Sequence, residues 1–152
     1  MKERKVFAGY PQKKGGIMDK EKWQLLPSCG KEAEGLDIIL ACDGASSVGQ
    51  VGHEVAVKLT KEVEGARMCC ITAVGAGSQP HIEIARKARK LIIINGCPLE
   101  CASKVVRNVG VEPSYEITIS KEEVDKVPTL DYKKEDVDRI SNHIVDEVKK
   151  LK

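Results

Sequence analysis

The sequence predicts an α/β fold: a single-domain three-layer sandwich with a mostly parallel sheet of about four strands and helices on both faces. Three observations carry this. Short apolar runs rich in Ile, Val and Ala stand at 36–42, 66–74 and 91–95, and an alternating run at 114–120. Segments with apolar residues at helical spacing separate them, and loops of Gly, Ser, Asn and Pro join the two kinds. Strands that alternate with helices pair in parallel, because a crossover is needed to bring the chain back in the same direction.

"LDIILAC" (36–42) reads as a strand buried on both faces, since it does not alternate with polar residues. "DGASSVGQ" (43–50) is a glycine-containing loop that opens a helix, with Ser47 and Gln50 spaced as a capping box. Val48, Val51, Val55 and Leu59 continue that helix to about Val63, and Gly65 punctuates its end. "ARMCCITAV" (66–74) reads as the second strand. Pro80 opens the next helix, where its missing N–H is not needed. "LIIIN" (91–95) is the third strand. "CPLECASKVVRNVG" (97–110) is a helix with Pro98 at its first position, a stripe of Leu99, Ala102, Val106 and Val109, and Gly110 as its stop. "SYEITIS" is the fourth strand, and Val137, Ile140, Ile144, Val148 and Leu151 mark a last amphipathic helix. Residues 1–35 read as an N-terminal extension packing on the domain of residues 36–152, with a short helix in "DKEKWQLL" (19–26).

The totals narrow the classes. At 152 residues the chain supports one core; with aromatics at 3 %, Ile, Val, Leu and Ala must build it. Lys+Arg 25 against Asp+Glu 23 leaves +2, no electrostatic case for nucleic acid. No apolar run approaches the roughly 20 residues that span a bilayer, so no membrane partner is expected. "MKERKVFAGYPQ" lacks the apolar stretch of a secretion signal, so the expected location is the cytoplasm. Thiols stay reduced there, which favours metal binding or reactivity over disulfides for the six cysteines.

Their positions sharpen that. In a doubly wound sheet the carboxyl ends of the strands share one edge, and ligands bind outside it. Cys42 ends the first strand, Cys69 and Cys70 lie in the second, and Cys97 and Cys101 follow the third. Adjacent strand residues face opposite ways, so only one of the two can join the edge; Cys70, nearer the carboxyl end, is assigned to it and Cys69 to the core. Cys97 reads as the cap of its helix, a place that favours thiolate, and Cys101 lies one turn on, on the same face. Cys42, Cys70, Cys97 and Cys101 are thus the expected metal ligands. Four thiolates suit zinc or, as an alternative, an iron–sulfur cluster. Buried structural cysteines and a reactive thiol remain as competing readings.

"CDGASSVGQVGHEVAVKL", "MCCITAVGAG" and "IIINGCPLECASKVV" together resemble the DGC-domain family, over roughly residues 36–125. That family is named for an Asp-Gly-Cys motif, and its members are taken to chelate zinc through four cysteines. The resemblance implies the same set: Cys42, Cys70, Cys97 and Cys101. Two departures stand out: Asn95 replaces the motif's Asp, and Ala45 stands where some members carry a further cysteine. Cys29, in "LPSCG", is a candidate to supply a thiol if the extension folds over the crevice.

Other side chains carry weaker signals. His53 and His81 lie near the expected edge, but a packed or solvent-facing histidine is the commoner outcome, as it is for His143. The 43–50 loop fits neither the Walker A pattern nor GxGxxG, so no nucleotide is expected. Its glycines Gly44 and Gly49 would let the backbone crowd a bound metal or a small anion at the sheet edge, with Ser46 and Ser47 as capping residues. Three functions follow: a zinc-binding protein, a thiol redox or sulfur-transfer enzyme with Cys97 as nucleophile and Cys101 or Cys42 as resolving thiol, and a binding module whose cysteines merely pack. The oligomeric state is not legible.

Overall fold

Apolar runs of five or six residues, unbroken by charge and flanked by amphipathic segments, fold as strands covered on both faces. The computed structural model, which describes residues 23–151, follows that rule. In chain order its elements are α1 (Cys29–Glu32), a 3₁₀ turn (Ala33–Gly35), β1 (Asp37–Ala41), α2 (Ser47–Glu62), β2 (Ala66–Met68), α3 (Ile71–Gly75) and α4 (Gln79–Lys87). They continue with β3 (Lys90–Asn95), α5 (Cys101–Asn108), β4 (Tyr115–Thr118), a 3₁₀ turn (Ile119–Lys121) and α6 (Lys134–Lys150). The strands form one parallel sheet in the order β2-β1-β3-β4, with Asp37 opposite Ala66 and Lys90, and Ile92 opposite Tyr115.

Alternation along the strands divides the core in two. Ile39, Ala41, Ile92 and Ile94 face α2 and α6, where Val51, Val55, Ile140 and Ile144 are buried. Ile38, Leu40, Leu91 and Ile93 face the other way, against Val74, Ile82, Ala85, Ala102 and Val106. This is the expected three-layer sandwich. The chain runs from β1 outward to β2 but from β3 outward to β4 on the opposite side. The direction of winding therefore reverses between β1 and β3, which is where such sheets open a crevice at their carboxyl edge. No helix among the described residues is long and apolar enough to cross a membrane.

Four local expectations are corrected. β2 ends at Met68, and residues 71–75 of the apolar run are helix α3, the Val74 N–H bonding the Cys70 carbonyl at 3.3 Å. Such a run is apolar in either state, so periodicity alone does not separate them. The helix after β3 begins at Cys101, not Cys97. The cap of α2 is Ser46, whose hydroxyl accepts the Gly49 N–H, rather than Ser47. Of the helix expected over 19–26, residues 19–22 lie outside the described residues and 23–26 are not helical.

Candidate functional site

The junction between β1 and α2 is built from backbone. The Cys42 N–H bonds the Ile94 carbonyl at 3.0 Å, and Asp43 follows with a left-handed φ of 52°. The loop then folds back over the first turn of α2. The Gly44 carbonyl accepts the Ser46 N–H at 2.9 Å and the Gln50 side-chain amide at 3.1 Å. Beneath it lies Gly49, where a Cβ would stand 2.6 Å from the Gly44 carbonyl carbon. Gly96, after β3, presses on the same spot, since a Cβ there would meet the Gly49 Cα at 3.2 Å. Positions for a Cβ on Gly44 and Gly96 lie 3.3 and 3.5 Å from the Cys42 Sγ. Glycine backbone thus walls this thiol where side chains would displace it.

The junction between β3 and α5 is built from side chains. Asn95 is 1 % exposed; its Oδ1 accepts the Ser103 N–H at 3.1 Å and its Nδ2 donates to the Ser103 hydroxyl at 2.7 Å. That hydroxyl donates to Glu116, which also pairs with Arg107. Asn95 therefore satisfies a free N–H in the first turn of α5 from within the strand, the work an N-cap does. Residues 97–100 are left outside as a turn, with the Glu100 N–H on the Cys97 carbonyl at 3.0 Å and Glu100 at a left-handed φ of 50°. Cys97 is consequently no helix cap, and it does not share a helical face with Cys101. It packs on the α2/α6 side, its Sγ 3.5 Å from the Lys126 ammonium. Leu99, expected on the buried stripe, is 60 % exposed.

Cys42 packs on the opposite side of the sheet. It lines a hollow of about 350 Å³ together with exposed Cys101, Ile71, Thr72 and Val105. Ile71 and Thr72 also line the neighbouring cleft, about 990 Å³, which holds Cys29, Cys69, Cys70, Asp43 and His81. Cys70 is exposed and Cys69 is buried, although both lie beyond the end of β2. Burial first, and then the Cys29 thiol 3.7 Å away, push the Cys69 thiol up to about 11. Cys29 does fold over the sheet edge, but against Cys69 and not Cys42. Among the histidines, His53 Nδ1 stands 3.0 Å from an Asp43 carboxylate oxygen, His81 Nδ1 2.8 Å from the Ser78 hydroxyl, and His143 is exposed.

The four expected ligands are thus distributed along one rim: Cys42 and Cys101 on one hollow, Cys70 in the adjoining cleft, Cys97 across the sheet. Among the described residues, no three His, Cys, Asp or Glu side chains stand close enough together to hold one ion. Two contacts at the rim had no signal in the sequence. Lys126 reaches Cys97 from a polar stretch. Ser47, buried, donates to the Asp125 carbonyl at 2.6 Å and accepts the Val127 N–H at 2.8 Å, tying that stretch to the start of α2.

A doubly wound parallel sheet with cysteines at the ends of successive strands defines a cysteine-rimmed α/β domain. Comparison with known proteins makes this specific: the DGC domain matches residues 38–144, and the chain belongs to that family. It is similar to the anaerobic and virulence modulator AnvM of Pseudomonas aeruginosa, 30 % identical over 105 residues, which cover 69 % of this chain and 79 % of that protein. No solved structure matches.

Proposed function

We propose that the chain binds a thiophilic metal ion, zinc, through Cys42, Cys70, Cys97 and Cys101. The observation that supports this most is the pairing of Cys42 and Cys101 on one hollow, with Cys42 held by glycine backbone at the reversal of winding. Zinc takes four thiolates at about 2.3 Å in a tetrahedron, and the donor set fits it. The arrangement described above is more open than that. Ligation by all four asks Cys70 to close from the adjoining cleft and the 97–100 turn to swing its sulfur across. A closed four-sulfur zinc serves structure, sensing or delivery, whereas a site with an exchangeable position polarises a bound water. From the relative's name, a modulator, we carry over a regulatory rather than a metabolic role.

The experiment is elemental analysis of protein purified without added metal. Near-stoichiometric zinc in the wild type, lost in Cys42→Ser and in Cys101→Ser, is the expected result. Undiminished zinc in both variants ends the assignment, and visible absorption with iron replaces zinc by an iron–sulfur cluster.

A second reading rests on Lys126, which puts a positive charge against the Cys97 sulfur. In it Cys97 is the nucleophile of thiol or sulfur-transfer chemistry. Metal-free protein with Cys97 the fastest thiol to alkylate, slowed in Lys126→Met, favours this reading over the first.

A further inference from the structure

We propose that Cys29 and Cys69 form an oxidisable dithiol, which a peroxide converts to an intramolecular disulfide that fastens residues 23–29 to the end of β2. The pair uses none of the four cysteines proposed for metal. The two sulfurs lie 3.7 Å apart although 40 residues separate them in the chain. Their approach is held from both sides. The Arg67 guanidinium donates to the Pro27 carbonyl at 3.0 Å, and the Gln24 side-chain amide donates to the Lys61 carbonyl at 3.3 Å. The segment carrying Cys29 is therefore anchored to β2 and to the last turn of α2 before any bond forms, and little ordering remains to be done on closure. The cleft of about 990 Å³ brings solvent and small solutes to both sulfurs.

The two thiols are not equivalent. Cys69 is 8 % exposed and packs in the core, while Cys29 is half-buried at the cleft wall and is the more accessible to a small oxidant. Cys29 is therefore the attacking sulfur. Its thiolate displaces one oxygen of hydrogen peroxide, which leaves as hydroxide and takes up a proton to become water, giving a sulfenic acid at Cys29. The Cys69 thiol attacks that sulfur, forming the S–S bond, losing its proton and expelling a second water. Overall two thiols and one peroxide give one disulfide and two waters, with sulfur oxidised and peroxide oxygen reduced. Thiols restore the dithiol by exchange.

The test treats the reduced full-length chain with hydrogen peroxide, then maps thiols and linked peptides by mass spectrometry without reductant. The expected result is two fewer alkylatable thiols, a monomer, and the Cys29 peptide joined to the peptide that contains Cys69 and Cys70. That link persists in Cys70→Ser and is lost in Cys29→Ser and in Cys69→Ser. Should Cys69→Ser not fold, Cys29→Ser gives the same readout from a half-exposed position. A link that survives in Cys69→Ser, an undiminished thiol count, or a link broken by chelator rather than by reductant overturns the proposal. Zinc content measured on the same samples reports on the metal reading separately.

Discussion

The two strand-to-helix junctions at the reversal of winding carry similar parts and assemble them differently. Each has a cysteine, a glycine and a non-glycine residue in the left-handed region, Asp43 in one and Glu100 in the other. After β1 the loop of residues 42–46 leads into a helix capped by Ser46, and the tight fit is backbone on backbone at Gly44, Gly49 and Gly96. After β3 the strand's own Asn95 caps the helix, and the four residues from Cys97 to Glu100 hang outside it as a turn. A residue left-handed in either place costs of order 1–3 kcal/mol and persists only where its surroundings over-determine it. At the first junction packing does so; at the second, hydrogen bonds and ion pairs do. Cys42 is therefore fixed by shape, and Cys97 by polar contacts that chemistry can loosen.

Steric intrusion at the first junction is the largest way to break this contrast. Gly49→Ala puts a Cβ 2.6 Å from a carbonyl carbon that is itself held by two hydrogen bonds, so the loop must move as a unit. The expected loss is about 3 kcal/mol, at the upper end for overpacking. Gly96→Ala, with its nearest contact at 3.2 Å, should cost about 1 kcal/mol, and Gly35→Ala, with open space around it, close to nothing. Denaturant unfolding of the three variants checks the order. Equal losses for all three would mean that the close approach of Gly44 and Gly49 does not hold the junction.

Removing a hydrogen-bonding side chain should instead spare the first junction and damage the second. Asn95→Ala deletes the group that satisfies the Ser103 N–H and leaves a buried hydroxyl short of a donor. The expected cost is about 2 kcal/mol, the sum of a lost cap and an under-satisfied polar group. Hydrogen exchange locates the damage: amides at the start of α5 should exchange faster, while those at the start of α2 should not. Protection lost evenly across both helices would contradict the local account.

How much of this could be read from the chain follows the same division. The strands and their parallel pairing were legible, because each rests on apolar pattern and on crossover geometry. Cys69 is buried and Cys70 exposed, but the strand ends just before them, so alternation along β2 is not what separates the two. The helix cap at Cys97 was misread because Pro98 and Glu100 are good first-turn residues in isolation. The competing cap comes from Asn95, whose side chain becomes a partner only once β3 and α5 are packed. The Cys29–Cys69 contact and the Lys126–Cys97 contact were likewise illegible. Each joins segments far apart in sequence, and no local period encodes them.

Acid is the gentlest probe of the contrast. The Lys121 ammonium, hydrogen-bonded to Glu100 at 3.0 Å, holds that carboxyl below its ordinary value of 4.5. Glu116 is also lowered: burial opposes its ionisation, but hydrogen bonds from Arg107 and Ser103 outweigh that. A carboxylate whose folded pKa lies below its unfolded one contributes stability that is fully present above the unfolded value and is lost as pH falls through the folded value. Stability should therefore decline below about pH 4.5, and less steeply in Glu100→Gln, which no longer titrates. The effect is small, because both carboxylates are partly open to water and screened by it. Melting curves at neutral pH and at pH values below the carboxylate range compare the two proteins. If Glu100→Gln and wild type lose stability equally, the ion pair with Lys121 does not hold the turn that carries Cys97.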